Sequence, residues 1–327
     1  MKKKLQLGNL TLDNPVIYSP LAGCSDYPFR KVVAPYRPGL FFCEMVKMDA
    51  LVRHDENTYH LLDYDTDMHP IGAQLCGSKV ELAAESSRII EDLGFDVVDL
   101  NCGCPVDKVT KDGSGSGLLK QPQKIGEILN RMVNADSIPV TVKIRAGWDE
   151  NSINAPLITQ IAEAAGAAAI SIHGRTRSQA YRGPAIWSHI TKAVDARKTI
   201  KVLGNGDVLC GPSALQMMQE TGCDGVLVSR GTFGQPWIVQ EILEHFNGNK
   251  FSTPSIQKAL LNHFYAIANY EEGRRAVVSM RRVSCWYLRP ITEAKPLREG
   301  INKASSLSEI ESLIKTFPFD RIATCQR

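Results

Sequence analysis

The 327-residue chain is 43% hydrophobic and 22% charged, the balance of a globular protein large enough to bury an extensive core. It holds no apolar run near the roughly 20 residues of a membrane-spanning helix, and its nine scattered cysteines do not make a dense disulfide framework. The formal charge of +3 conceals an asymmetry: residues 1–245 carry 25 Lys and Arg against 28 Asp and Glu, whereas residues 246–327 carry 13 against 7, a net of +6. A basic segment of that kind points to a polyanionic partner.

The basic start, Met1-Lys2-Lys3-Lys4, precedes Leu5 to Leu12, where Gln6, Asn9 and Thr11 interrupt any apolar core of a secretory leader. A cytoplasmic protein with reduced thiols is expected. No ligand spacing typical of zinc or an iron–sulfur cluster accompanies the cysteines, so no metal site is expected.

Short β-branched runs ending in polar or glycine residues then recur in chain order. They are Val16 to Tyr18, Leu40 to Phe42, Ile71 to Leu75, Val97 to Leu100, Val140 to Ile144, Ala169 to His173, Lys201 to Leu203 and Gly225 to Ser229. Helix-period segments lie between several of them, with stripes at Leu82, Ile89, Ile90 and Leu93 and at Ile153, Leu157, Ile158, Ile161 and Ala165. Gly94 and Gly166 stand where the helix C-caps belong. Eight such units match an α/β fold of the (β/α)8 TIM-barrel type over residues 1–245. A doubly wound sheet fits less well, since no G-x-G-x-x-G follows Tyr18. After the linker Asn247-Gly248-Asn249-Lys250, helices over Ile256 to Tyr270, Val277 to Leu288 and Leu307 to Ile314 predict a small basic helical domain, residues 246–327.

In a barrel, chemistry gathers at the carboxyl ends of the strands. The first ends in the tight loop Pro20-Leu21-Ala22-Gly23, and the third in Gln74, an amide able to pair with a heterocycle. Asn101-Cys102-Gly103-Cys104-Pro105 follows the fourth and sets a thiol before a stiffening proline. Lys143 and Arg145 alternate on the fifth and share a face. His173-Gly174-Arg175 ends the sixth, while Asn205-Gly206-Asp207 and Ser229-Arg230-Gly231 end the last two, where barrels commonly bind phosphate. Together these favour a phosphorylated cofactor, read as flavin mononucleotide, beside a reacting group. Lys143 would balance the charge of the reduced flavin and Gln74 would bond its polar edge.

The ordered set of Pro20-Leu21-Ala22-Gly23, Cys43-Glu44-Met45-Val46, Gln74-Leu75, Asp99 to Pro105, Val142-Lys143-Ile144-Arg145, Ile172 to Arg177, Asn205-Gly206-Asp207 and Ser229-Arg230-Gly231 resembles the bacterial tRNA-dihydrouridine synthases over nearly the whole chain, those of the B type most. Leu21 stands where that family more often has methionine and Ser229 where it often has glycine. The resemblance implies FMN, NADPH as reductant and tRNA as partner; a monomer is expected, though the sequence leaves oligomeric state open. It implies Cys104 as proton donor, Asn101, Arg145 and Arg175 around the substrate base, and Pro20, Leu21, Ala22, Gln74, Lys143, His173, Asn205, Gly206, Asp207, Ser229 and Arg230 around FMN. Hydride addition at uracil C6 leaves C5 to be protonated, a task for a thiol whose ordinary pKa is about 8.5.

A base stacked in tRNA must be extruded to reach a barrel mouth, which requires a grip on the phosphates. Arg274-Arg275 and Arg281-Arg282, seven residues apart, would share a helix face and supply that grip, away from the redox site. The alternative, an FMN barrel enzyme acting on a small free pyrimidine, leaves the basic tail unexplained.

Overall fold

Eight short apolar runs pair side by side in chain order until the last returns to the first. In the computed structural model, which describes residues 4–319, these are β3 (Val16–Tyr18), β4 (Leu40–Lys47), β5 (Ile71–Cys76), β6 (Val97–Cys102), β7 (Val140–Arg145), β8 (Ala169–His173), β9 (Lys201–Asn205) and β10 (Gly225–Val228). They form a closed parallel TIM barrel in the order β10-β3-β4-β5-β6-β7-β8-β9, with helices between the strands. Met1 to Lys3 of the basic start and residues 320–327 of the tail lie outside the described residues. Among the described residues no helix is long and apolar enough to cross a membrane.

Every residue of β3, β5, β6, β8 and β10 is buried, as expected of parallel strands covered on both faces. A hairpin that the sequence did not predict, β1 (Leu5–Leu7) and β2 (Leu10–Leu12), precedes the barrel. Its Leu5, Leu7 and Leu12 pack with Leu40, Val97 and Ala169, the first residues of their strands, and so close the amino end of the barrel.

The predicted helix stripes are partly rotated. In the helix Ala155–Ala164 the buried residues are Ala155, Ile158, Thr159 and Ala162, while Leu157 is 45% exposed. Small residues face inward there, allowing close approach to the neighbouring layers. Gly94 and Gly166 take left-handed backbone, φ +84° and +87°, just after their helices.

Beyond the exposed linker the tail folds as helices Ile256–Tyr270, Gly273–Leu288, Lys295–Lys303 and Leu307–Thr316. The second begins four residues earlier than its hydrophobic pattern predicts, and the third was unread because it holds only Leu297 and Ile301 as buried anchors. Leu260, Phe264, Met280, Val283, Ile301 and Ile310 build a second core that takes in Trp237 from the barrel's last connection.

Candidate functional site

A cavity of about 390 Å³ opens at the carboxyl end of the barrel. Strand alternation brings its polar lining together: the register sets Asn101 beside Lys143, Arg145 beside His173, and His173 beside Asn205. Pro20, Leu21, Ala22, Gln74, Asn101, Cys104, Lys143, Arg145, His173, Asn205, Gly206, Asp207, Ser229 and Arg230 all line it. Arg175 and the four tail arginines do not.

The thiol is held by a chain of buried amides. Asn101 Oδ1 accepts the backbone N–H groups of Gly103 and Cys104 at 3.1 and 2.9 Å. Its Nδ2 therefore donates, to Gln74 Oε1 at 2.7 Å, and Gln74 Nε2 donates to Asp99 Oδ2 at 2.7 Å. Thr141 Oγ1 donates to the other Asp99 oxygen at 2.6 Å. Burial raises the Asp99 carboxyl to about 6, opposed by the bonds from Thr141 and Gln74. The Cys104 carbonyl accepts from both the N–H and the hydroxyl of Ser116, so the turn is held on two sides. Cys102, by contrast, is wholly buried, and burial pushes its thiol well above the ordinary range.

Two cations, Lys143 and Arg145, crowd the next wall beside His173. Removal from water, together with Arg145, lowers Lys143 to about 8. Burial also lowers Arg145, which donates Nε to Gly103 O and Nη1 to the carbonyls of Thr176 and Ala180. His173 is pushed down to about 2, by burial first and then by Lys143, Arg145, Arg175 and Arg230. It is neutral across the physiological range. Arg175 donates to its Nε2 at 3.3 Å, which leaves the ring proton on Nδ1.

Arg175 lies behind this wall. Its guanidinium, 4% exposed, binds the Asp207 carboxylate at 2.7 and 2.9 Å and the Gly183 carbonyl. Asp207, itself in left-handed backbone, also accepts from Ala185 N and Arg230. The residue expected at the substrate base thus holds two cavity residues in place.

The loops after β9 and β10 pack closely at their glycines. Gly206 has φ +115°, and a Cβ there would come within 2.9 Å of the His173 ring. A Cβ on Gly231 would meet the Val208 carbonyl at 2.4 Å. Asn205 Nδ2 ties the two strands by donating to Leu227 O and to Ser229 Oγ. Ser19 Oγ, on the cavity lining, is buried and has no hydrogen-bond partner among the described residues.

The tail arginines divide. Arg274 and Arg275 are exposed, the latter 3.8 Å from Glu271. Arg281 donates to Ala304 O at 2.8 Å within the tail, and Arg282 pairs with Asp26 of the barrel at 2.9 Å. The four are therefore not equivalent: two are exposed and two are engaged within the protein.

Residues given no individual role from the sequence also line or brace the cavity. Asp99 carried a usable signal, since it alternates with Asn101 on one strand face. Met45, part of the Cys43-Glu44-Met45-Val46 motif, also lines the cavity, as does Tyr181, which had no such signal and lies under Arg230 at 4.7 Å. Glu44 accepts the Gly23 N–H within an irregular stretch of β4, and burial raises its carboxyl.

The dihydrouridine synthase family model matches residues 17–321. The chain is 38% identical over 318 residues to a probable tRNA-dihydrouridine synthase 1 of Synechocystis, covering 95% of this chain and 88% of that protein. It is 34% identical over 304 residues to tRNA-dihydrouridine synthase B of Pseudomonas syringae pv. tomato, covering 91% and 90%. The crystal structure of TcOYE with pHBA superposes with a TM-score of 0.59 at 13% identity over 82% of this chain and 98% of that one, a likeness of fold. The reach of the family match, through both the barrel and the helical tail, makes this chain a member of the dihydrouridine synthase family, whose enzymes are oxidoreductases.

Proposed function

We propose that the protein reduces a uridine of tRNA to 5,6-dihydrouridine, with FMN in the barrel-mouth cavity, NADPH as reductant and Cys104 as proton donor. The observation that carries this reading is a half-buried thiol on the cavity wall, its turn braced by Asn101 and Ser116, facing a cavity rich in cations. The relative named synthase B supports a B-type assignment.

The donor set fits FMN. Ser19, whose hydroxyl is unpartnered among the described residues, and Arg230 suit a phosphate, while Gln74 and Lys143 suit a polar ring edge. Pro20, Leu21 and Ala22 offer a small wall for a flat ring, and His173, Asn205, Asp207 and Ser229 complete the holding set. Bound there, FMN supplies the hydride that uracil C6 accepts, after reduction by NADPH.

The chain's own residues do the rest. Asn101 fixes the Cys104 turn, and Cys104 gives its proton to C5. Among the described residues Arg145 Nη2 has no partner, so it is available to the charge that develops on the base carbonyl. Arg175 serves by holding His173 and Asp207. Val106, Tyr181 and Leu209, each about half exposed, line the cavity and suit the faces of unstacked bases.

The test is dihydrouridine formation on unmodified tRNA by FMN-loaded protein with NADPH. Cys104→Ala is expected to lower it by roughly 10²- to 10⁴-fold while NADPH oxidation persists, and Cys102→Ala to do far less. Equal activity in the two variants would remove Cys104 from the mechanism, and turnover of free uridine but not tRNA would replace the substrate.

A further inference from the structure

We propose that the helical segment sets one wall of the cavity, with Arg282, Tyr270 and Trp286 as positioning residues for the loops after β3 and β10. The functional importance of that wall rests on the reading above; the contacts do not.

Residues 20–26 follow β3 and contribute Pro20, Leu21, Ala22 and Cys24 to the cavity. Asp26 ends this loop. Its Oδ1 accepts Phe29 N at 3.0 Å, capping the helix Tyr27–Val33, and its Oδ2 accepts Arg282 at 2.9 Å. The loop is therefore pinned at its exit by a residue 256 positions away.

Tyr270 makes a second link. It stacks on Tyr27 at 4.4 Å and donates to Asp63 Oδ2 at 2.7 Å. The buried Arg30 donates to the carbonyls of both Asp63 and Ser25, which carries the contact back to the same loop. Trp286 makes a third by stacking on Phe233, a cavity residue, at 4.5 Å and 8°. The fit there is tight: a Cβ on Gly234 would lie 2.2 Å from the Trp286 carbonyl oxygen.

β10 and β3 are neighbours in the barrel, so the three links converge on one side of the mouth. The Cys104 turn is held by Asn101 and Ser116, with no hydrogen bond from the described residues of the helical segment. One wall is braced by the barrel itself and the other by the tail. Arg274 and Arg275 sit on the same helix as Arg282, which places the exposed cations and the braced wall on one rigid element.

The test compares wild type, Arg282→Ala and Arg282→Lys without flavin, measuring iodoacetamide alkylation of Cys24 and Cys104 separately by mass spectrometry. Arg282→Ala is expected to speed Cys24 alkylation about fivefold, the order of one half-exposed ion pair, with Cys104 within about twofold of wild type. The charge effect runs the other way, because Arg282 favours the Cys24 thiolate, so acceleration reports release of the loop. Lysine, which keeps the charge, is expected to restore most of the slow rate. FMN uptake by the same proteins, followed by fluorescence quenching, is expected to weaken in Arg282→Ala. An unchanged or slower Cys24 rate, or equal acceleration at both cysteines, would overturn the proposal. Failure of wild type to take up FMN would instead strike the cofactor reading and leave the alkylation result standing.

Discussion

Asn101 Oδ1 accepts the backbone N–H of Cys104 at 2.9 Å, so the orientation of one buried amide fixes the turn that carries the cavity thiol. The same amide must donate at its other end, because Gln74 Oε1 lies 2.7 Å from Nδ2. Asn101→Asp keeps the acceptor and loses the donor, whereas Asn101→Ala loses both. Both variants are expected to lose dihydrouridine formation by about 10- to 100-fold, alanine more. Rates on unmodified tRNA would check this; an alanine variant as active as wild type would mean the turn does not depend on Asn101.

Arg175 is buried against Asp207, His173 and the Gly183 carbonyl, so its removal leaves acceptors without their donor. Arg175→Ala is expected to cost about 3 kcal/mol of stability and to weaken FMN uptake. Arg175→Lys should recover little, since an ammonium cannot span the same set of acceptors. Urea unfolding with FMN titration measures both effects. A variant with normal stability and cofactor uptake but impaired tRNA turnover would return Arg175 to the substrate.

The division among the tail arginines predicts unequal salt effects. Replacing exposed Arg274 and Arg275 by alanine is expected to reduce the slope of log affinity for tRNA against log salt by about 1.5, two phosphate contacts' worth. Arg281→Ala should leave the slope near wild type and instead loosen the packing at Ala304. The measurement is tRNA affinity across a salt series; the same slope loss for Arg281 alone would show that it meets phosphate.

Acid stability follows from His263, wholly buried and lowered to about 3, first by burial and then by Arg282. The unfolded chain takes up this proton below about 6.5 while the folded one does not, so stability present above that pH is lost as pH falls toward 3. Between pH 7 and pH 5 the loss from this residue is about 2 kcal/mol. His263→Phe leaves Tyr287 without its 3.1 Å partner and so starts lower at pH 7, but its decline to pH 5 should be shallower by that amount. Urea unfolding at the two pH values decides it, and parallel declines would remove His263 as a source of acid sensitivity.

The eight β-branched runs, the alternation that puts Lys143 and Arg145 on one face, the Asn101–Cys104 turn and the basic tail were all legible because they depend on neighbours close in the chain. Strand period and turn chemistry operate over a few residues. What the tertiary structure decided is which partner each polar group found. Arg175 and Arg282 have the composition of substrate and phosphate contacts, yet Asp207 and Asp26 engage them across 32 and 256 residues. Asp99 became the base of the thiol's support only when β5 and β7 closed on either side of it. A charged side chain carries the same signature in sequence whether it meets solvent, ligand or a buried counter-charge, because its free energy is set by what folding brings within a few ångströms.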